Sequence, residues 1–278
     1  MKKINTQQIE EIAYSLIVKA CQNITEPCKR ALELALERET SLNSRFCLEK
    51  LLENAKIAKE QRMPVCQDTG MAVFHVKMGH QVIVDGLIQT ALDNAVKRAY
   101  TENYFRKSVC DPLTRQNTQF NTPAMLTLEQ TLGEEFTITF MPKGFGSENM
   151  SRLFMLKPAQ GIDGVISAVL TAVKDADSRP CPPIYVGVGI GGTFDKCALL
   201  AKKALMRPVG ENHPRKDVKE IEERLLELIN QTEIGVQGLG GNNTALGVAV
   251  EVAPTHLAGL PVAVNIQCNC VRGESASL

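Results

Sequence analysis

The sequence predicts an α+β fold, a mixed α/β unit with a helical N-terminal region, and three observations predict it. Residues 1–62 carry apolar side chains at helical spacing. Beyond them, short apolar runs punctuated by Gly, Pro and Asn alternate with further helical stretches. No repeat, low-complexity segment or linker divides the chain, so residues 1–278 read as one domain.

The elements follow in order. Ile9, Ile12, Leu16 and Ile17 recur at helical spacing after the candidate cap Asn5-Thr6. A second helix starts near Pro27, and Leu48, Leu51, Leu52, Ala55 and Ala58 mark a third. Pro64-Val-Cys-Gln-Asp-Thr-Gly70 is a loop, Met71 to Val76 a strand, and Gly86 to Tyr104 a helix. Residues 111–123 are polar with Pro and Asn at turn positions, followed by strands at Met125 to Leu128 and Phe136 to Phe140. Lys143-Gly-Phe-Gly-Ser147 is a glycine loop. Gly161 to Ala176, Phe194 to Met206 and Val218 to Leu228 read as helices, and Ile184 to Val188 as a buried strand. A second glycine loop, 237–243, precedes strands at Ala245 to Ala253 and Pro261 to Ile266.

Lys plus Arg and Asp plus Glu each number 31, which argues against a nucleic-acid surface. Trp is absent and aromatics are few, so base-stacking platforms are not expected. No apolar run approaches the roughly 18–20 residues of a membrane span. The polar N-terminus has no secretory core, and a cytoplasmic location is expected.

Nine cysteines are many for such a chain, and in a reducing compartment they point to metal or cluster ligation or to small buried side chains. Cys21, Cys28, Cys47 and Cys197 lie in helical stretches beside apolar neighbours and read as core fillers. Cys66, Cys181 and Cys268 lie in loops or at a strand end. Three thiolates suit a cubane cluster with one iron left open, which is what a Lewis-acid site needs, although zinc is a rival metal on spacing alone. Gln67 and Asp68 follow Cys66, Arg106 precedes a Ser-Val-Cys-Asp-Pro loop, and His256 lies one strand before Cys268. Together they supply a carboxylate clamp and acid–base groups for a small anionic substrate. Gly187-Val-Gly-Ile-Gly-Gly192 matches a dinucleotide fingerprint on paper, but the acidic residue that should end a second strand is missing. The competing reading is a tight turn that lets backbones approach closely.

These landmarks, with Asp111-Pro-Leu-Thr-Arg-Gln-Asn-Thr118, Asn121-Thr-Pro123, Lys143-Gly-Phe-Gly-Ser-Glu-Asn149, Cys181-Pro-Pro183 and Pro254-Thr-His256, resemble one family along essentially the whole chain. It is that of the alpha subunits of class I, iron–sulfur-dependent fumarate hydratases and the related L-tartrate dehydratases. The resemblance implies a [4Fe–4S] cluster on Cys66, Cys181 and Cys268, with Cys270 as the fallback third ligand. It implies substrate contacts from Gln67, Arg106 and the Gly146 backbone, and catalytic roles for Asp68 and His256. It also implies a separate beta subunit, in an assembly of two alpha and two beta chains. The activity expected is reversible hydration of fumarate to (S)-malate. The alternatives are dehydration of tartrate to oxaloacetate, or a non-catalytic cluster-binding sensor.

Overall fold

A computed structural model describes residues 1–278. The chain forms β1 (Lys2–Ile4), α1 (Thr6–Gln22), α2 (Glu26–Arg38), α3 (Leu42–Gln61), β2 (Met71–Gly79), β3 (Val82–Val84), α4 (Ile88–Glu102), β4 (Met125–Thr131) and β5 (Phe136–Lys143). It continues with α5 (Phe145–Glu148), β6 (Arg152–Leu156), α6 (Gly161–Ala176), β7 (Ile184–Gly191), α7 (Phe194–Ala204), α8 (Lys216–Asn230), β8 (Ala245–Ala253), β9 (Leu260–Gln267) and β10 (Glu274–Ser277). Helices and mixed sheets make this the α+β class the sequence predicts. No helix is long and apolar enough to cross a membrane. The chain divides into two compact units, Met1–Thr25 with Ala55–Phe145 and Arg272–Leu278, and Glu26–Asn54 with Gly146–Val271.

The first unit is built on a sheet of order β10-β5-β2-β4, in which β2 and β4 are parallel and the other pairs antiparallel. Helix α1 starts where the sequence places its cap. Asn5 Oδ1 accepts from the Gln8 N–H at 2.8 Å while Gln8 Oε1 accepts from the Asn5 N–H at 3.0 Å, so two donors of the first turn are satisfied reciprocally. Ile9, Ala13, Leu16, Ile17, Ala20 and Cys21 form its buried stripe. They share one core with Leu92, Val96 and Tyr100 of α4 and with Phe74, Val76, Phe136, Ile138 and Phe140 of the sheet. The sheet residues alternate because successive side chains point to opposite faces. Each large side chain so buried contributes about 1.5–3 kcal/mol.

In the second unit the sheet order is β6-β9-β7-β8, with β7 and β8 parallel and β9 antiparallel to both β7 and β6. Val186, Val188, Val250, Val262, Val264 and Ile266 bury one sheet face with α6 and α8. On the other face Ala263 packs with Cys197 and Ala201 of α7. A Cβ on Gly187 would lie 2.3 Å from the Ala201 carbonyl oxygen, and one on Gly189 would lie 2.2 Å from that of Cys197. The strand runs on to Gly191, past the Val188 limit expected, so these two glycines are strand residues that admit α7. The close approach is therefore made by residues within the strand, not by a tight strand-to-helix turn as the glycine pattern suggested.

The 237–243 glycine loop also has a structural cause. The buried Glu39 carboxylate accepts from the N–H groups of Thr40 and Ser41, both at 3.0 Å, from Asn242 N at 3.2 Å and from Asn243 Nδ2 at 2.7 Å. Burial pushes its pKa up, but those bonds outweigh burial and hold it below its ordinary value. Strands β1, β3, β6 and β10 go beyond the sequence reading. All four are five residues or shorter, and β1 sits in a stretch whose helical period begins only after Asn5.

Candidate active-site loops

The Pro64–Gly70 loop of the first unit carries Cys66, Gln67 and Asp68, and most of it is fixed by bonds to its polar backbone. Asp68 Oδ1 accepts from the Gly70 N–H at 2.9 Å, closing a local turn, and Oδ2 accepts from the Phe145 N–H at 2.8 Å. Arg272, itself buried, donates from Nη2 to the Asp68 carbonyl at 3.0 Å. The buried Tyr100 hydroxyl donates to the Thr69 carbonyl at 2.7 Å and reaches that of Gly70 at 3.2 Å. A carboxylate offers about four lone-pair sites; Asp68 uses two on backbone donors and retains acceptor capacity. Cys66 is half-buried, and its thiol lies 3.4 Å from Gln67 Oε1. Gln67 itself is exposed.

Arg106 is brought to this loop within the same unit. The Thr69 hydroxyl donates to the Arg106 carbonyl at 2.8 Å. Phe105, buried against Tyr100 edge to face at 5.6 Å between ring centroids, anchors the preceding residue. Arg106 remains exposed. Gln67, Asp68 and Arg106 therefore belong to two mutually bonded segments, although 38 positions separate Asp68 from Arg106 in sequence.

In the second unit Cys181 and Cys268 lie on joined loops. Asn269 donates to the Cys181 carbonyl twice, from its backbone N at 3.2 Å and from Nδ2 at 2.8 Å. Gln237 does the same to the Pro182 carbonyl, at 2.9 and 2.8 Å. Cys181 is exposed with φ +56°. Cys268 is half-buried at the end of β9, whereas Cys270 is buried with its thiol 3.2 Å from Asn269 Oδ1. Gly146 sits in the single turn α5, exposed, and a Cβ there would come no closer than 3.8 Å to the Arg179 carbonyl oxygen.

His256 lies elsewhere in the second unit. It is exposed on the β8–β9 connection, where its Nδ1 accepts from the Ala258 N–H at 3.2 Å. That connection is at one end of β9 and Cys268 at the other. Eight strand residues at about 3.3 Å each separate them by about 26 Å. A single chain thus does not put the His256 imidazole beside Cys268. One strand of separation in sequence is a full strand length in space.

None of the nine cysteines is in a disulfide. No three or more His, Cys, Asp or Glu side chains stand together as a metal-holding group. Donor chemistry still separates two classes of thiol. Burial pushes Cys21 and Cys28 up to about 12 and Cys197 up to about 11, which disfavours the thiolate a metal needs. Cys66, Cys181 and Cys268 sit on loops outside the apolar cores, Cys181 exposed and the other two half-buried, so burial does not set them against the thiolate form as it does the core thiols. Cys47, expected as a core filler, is only half-buried. The holders Tyr100, Asn269, Gln237 and Arg272 were not singled out in the sequence, because nothing local marks the carbonyls they reach.

Two sheet-and-helix units that keep accessible thiols, a Gln–Asp pair and an arginine on loops have the build of an enzyme scaffold. The sequence matches the family described as "Fumarate hydratase (Fumerase)" over residues 10–277, and the chain belongs to that family of iron–sulfur hydro-lyases. It is 42% identical over 268 residues to a Methanocaldococcus jannaschii protein provisionally named L(+)-tartrate dehydratase subunit alpha, covering 94% of each chain. It is also 30% identical over 276 residues to the Escherichia coli K12 protein named L(+)-tartrate dehydratase subunit alpha, covering 96% of this chain and 91% of that one.

Proposed function

We propose that this chain is the cluster-bearing alpha subunit of a cytosolic L(+)-tartrate dehydratase that works with a separate beta subunit. The observation that supports the hydro-lyase part is the bond from the Thr69 hydroxyl to the Arg106 carbonyl, which joins the backbone segment of Arg106 to the loop that carries Gln67 and Asp68. Similarity to two proteins named for L(+)-tartrate, each matched over more than nine-tenths of its length, supports that substrate. Hydration of fumarate to malate is the second reading, favoured by the family's own description.

Held by Cys66, Cys181 and Cys268, a [4Fe–4S] cluster would supply an open iron as a Lewis acid for the hydroxyl that leaves. Arg106 grips a substrate carboxylate through its planar fork and steadies the charge that develops when the neighbouring carbon loses its proton. Gln67 donates from its amide to the same substrate. Asp68, anchored by the Gly70 and Phe145 N–H groups, uses its remaining lone pairs to accept or relay that proton. The beta subunit supplies the cations for the far carboxylate and closes the site against water.

The test is anaerobic co-expression with the beta subunit, cluster reconstitution, and assay on L(+)-tartrate, D(−)-tartrate, malate and fumarate. Oxaloacetate formed from L(+)-tartrate with the highest kcat/KM is the expected result. A higher kcat/KM on malate or fumarate would hand the site to the second reading, and inactivity of the iron-loaded complex on all four would end the hydro-lyase reading.

A further inference from the structure

Asn121 is fully buried in the first unit, with φ +60°. Its amide spends both ends on backbone. Oδ1 accepts from the N–H groups of Ser108 at 2.8 Å and Val109 at 3.3 Å, and Nδ2 donates to the Gly70 carbonyl at 3.0 Å. One side chain thus ties the residues just after Arg106 to the end of the loop that carries Cys66, Gln67 and Asp68. The Gly70 carbonyl it grips is the same one the Tyr100 hydroxyl reaches. On the near side of Arg106, the Thr69 hydroxyl holds the Arg106 carbonyl and the Phe105 N–H donates to the Tyr100 carbonyl at 3.1 Å. Backbone is therefore pinned on both sides of Arg106 while the residue itself is left exposed.

We propose that Asn121 is a positioning residue for substrate binding, which fixes Arg106 in register with Gln67 and Asp68. This rests on the proposed hydro-lyase function, because the register matters only if both segments meet one substrate. A buried asparagine in left-handed backbone has a plainer explanation as a turn residue, since Asn tolerates that conformation. The plainer explanation does not require its amide to bridge two segments that both carry polar groups of the site. A misplacement of about 1 Å in a substrate-holding group costs on the order of a hundred-fold in rate. A link that spans 13 positions of mostly exposed loop opposes such drift.

The test uses the cluster-loaded complex with its beta subunit. Asn121→Gly keeps the left-handed backbone and removes all three bonds. It should raise KM roughly ten-fold or more with iron content unchanged, and amide exchange at Ser108 and Val109 should quicken. The deciding measurement is the double variant. In an Arg106→Lys background, Asn121→Gly should cost little further kcat/KM, because its effect acts through Arg106. Equal costs in both backgrounds, or an unchanged KM, would overturn the proposal. Thr69→Val, which removes one hydroxyl bond, gives a milder second variant should Asn121→Gly fold poorly, and it should show the same dependence on Arg106. Failure of the wild-type complex to turn over any hydroxy-dicarboxylate overturns the functional reading and the positioning role together. Additive costs in an active complex overturn the positioning role alone.

Discussion

The Pro64–Gly70 loop of the first unit and the Pro180–Pro183 loop of the second each present a cysteine, and they are held by different means. The first spreads its restraint. Side chains from α4, from Asn121 and from Arg272 grip three successive carbonyls, and the Asp68 carboxylate binds two backbone N–H groups. The second concentrates its strain. Cys181 itself adopts φ +56°, a conformation that costs a residue with a Cβ roughly 1–2 kcal/mol. Two bonds to each of the Cys181 and Pro182 carbonyls, at about 0.5–1.5 kcal/mol apiece, offset that cost. The first loop is thus held through three successive residues after Gln67, the second through the strained residue and the proline that follows it.

Replacing the loop thiols is the largest perturbation. Cys66→Ser, Cys181→Ser and Cys268→Ser should each lose most of the iron after anaerobic reconstitution, whereas Cys197→Ser should keep it and lose only about 1–3 kcal/mol of stability. Iron loss from Cys197→Ser equal to that of the loop variants would erase the distinction between the two thiol classes.

Asn269→Ala tests the concentrated restraint. It removes the side-chain bond to the Cys181 carbonyl, together with the oxygen that the Cys270 thiol meets, and leaves the backbone bond. Urea unfolding should show a loss of about 1–2 kcal/mol, and Cys181 should react faster with a thiol reagent in the apo protein. Unchanged reactivity would mean that Asn269 does not hold the cysteine in place.

The buried thiols make an alkaline limit. Their folded pKa values lie above the ordinary value of about 9, so the protonated form favoured by the core is present in both states below pH 9. Above it the unfolded chain releases protons that the folded one retains, and stability falls as pH climbs toward 11 or 12. The difference in urea midpoint between wild type and Cys21→Ala should shrink from pH 9 to pH 11. A constant difference over that range would contradict the raised thiol pKa.

The smallest effect is expected at Gly146. Its absent Cβ would meet nothing closer than 3.8 Å, so Gly146→Ala should change stability by less than about 0.5 kcal/mol. If substrate approaches the backbone there, KM should still rise. An unchanged KM would remove Gly146 from the substrate contacts.

The sequence by itself determined much of this. Helical period and the candidate cap Asn5-Thr6 located α1, and apolar runs bounded by Gly and Pro located β2, β5, β7, β8 and β9, because local propensity and side-chain period act over a few residues. Position on helix or loop also separated Cys21, Cys28 and Cys197 from Cys66, Cys181 and Cys268, since helix stripes face cores. Only the tertiary structure decided the rest. It turned Gly187 and Gly189 into contacts for α7, set Asn121 between two distant segments, and carried His256 to the opposite end of β9 from Cys268. Each of these depends on which backbone group a side chain meets after the chain has returned on itself, and that meeting leaves no local pattern to read.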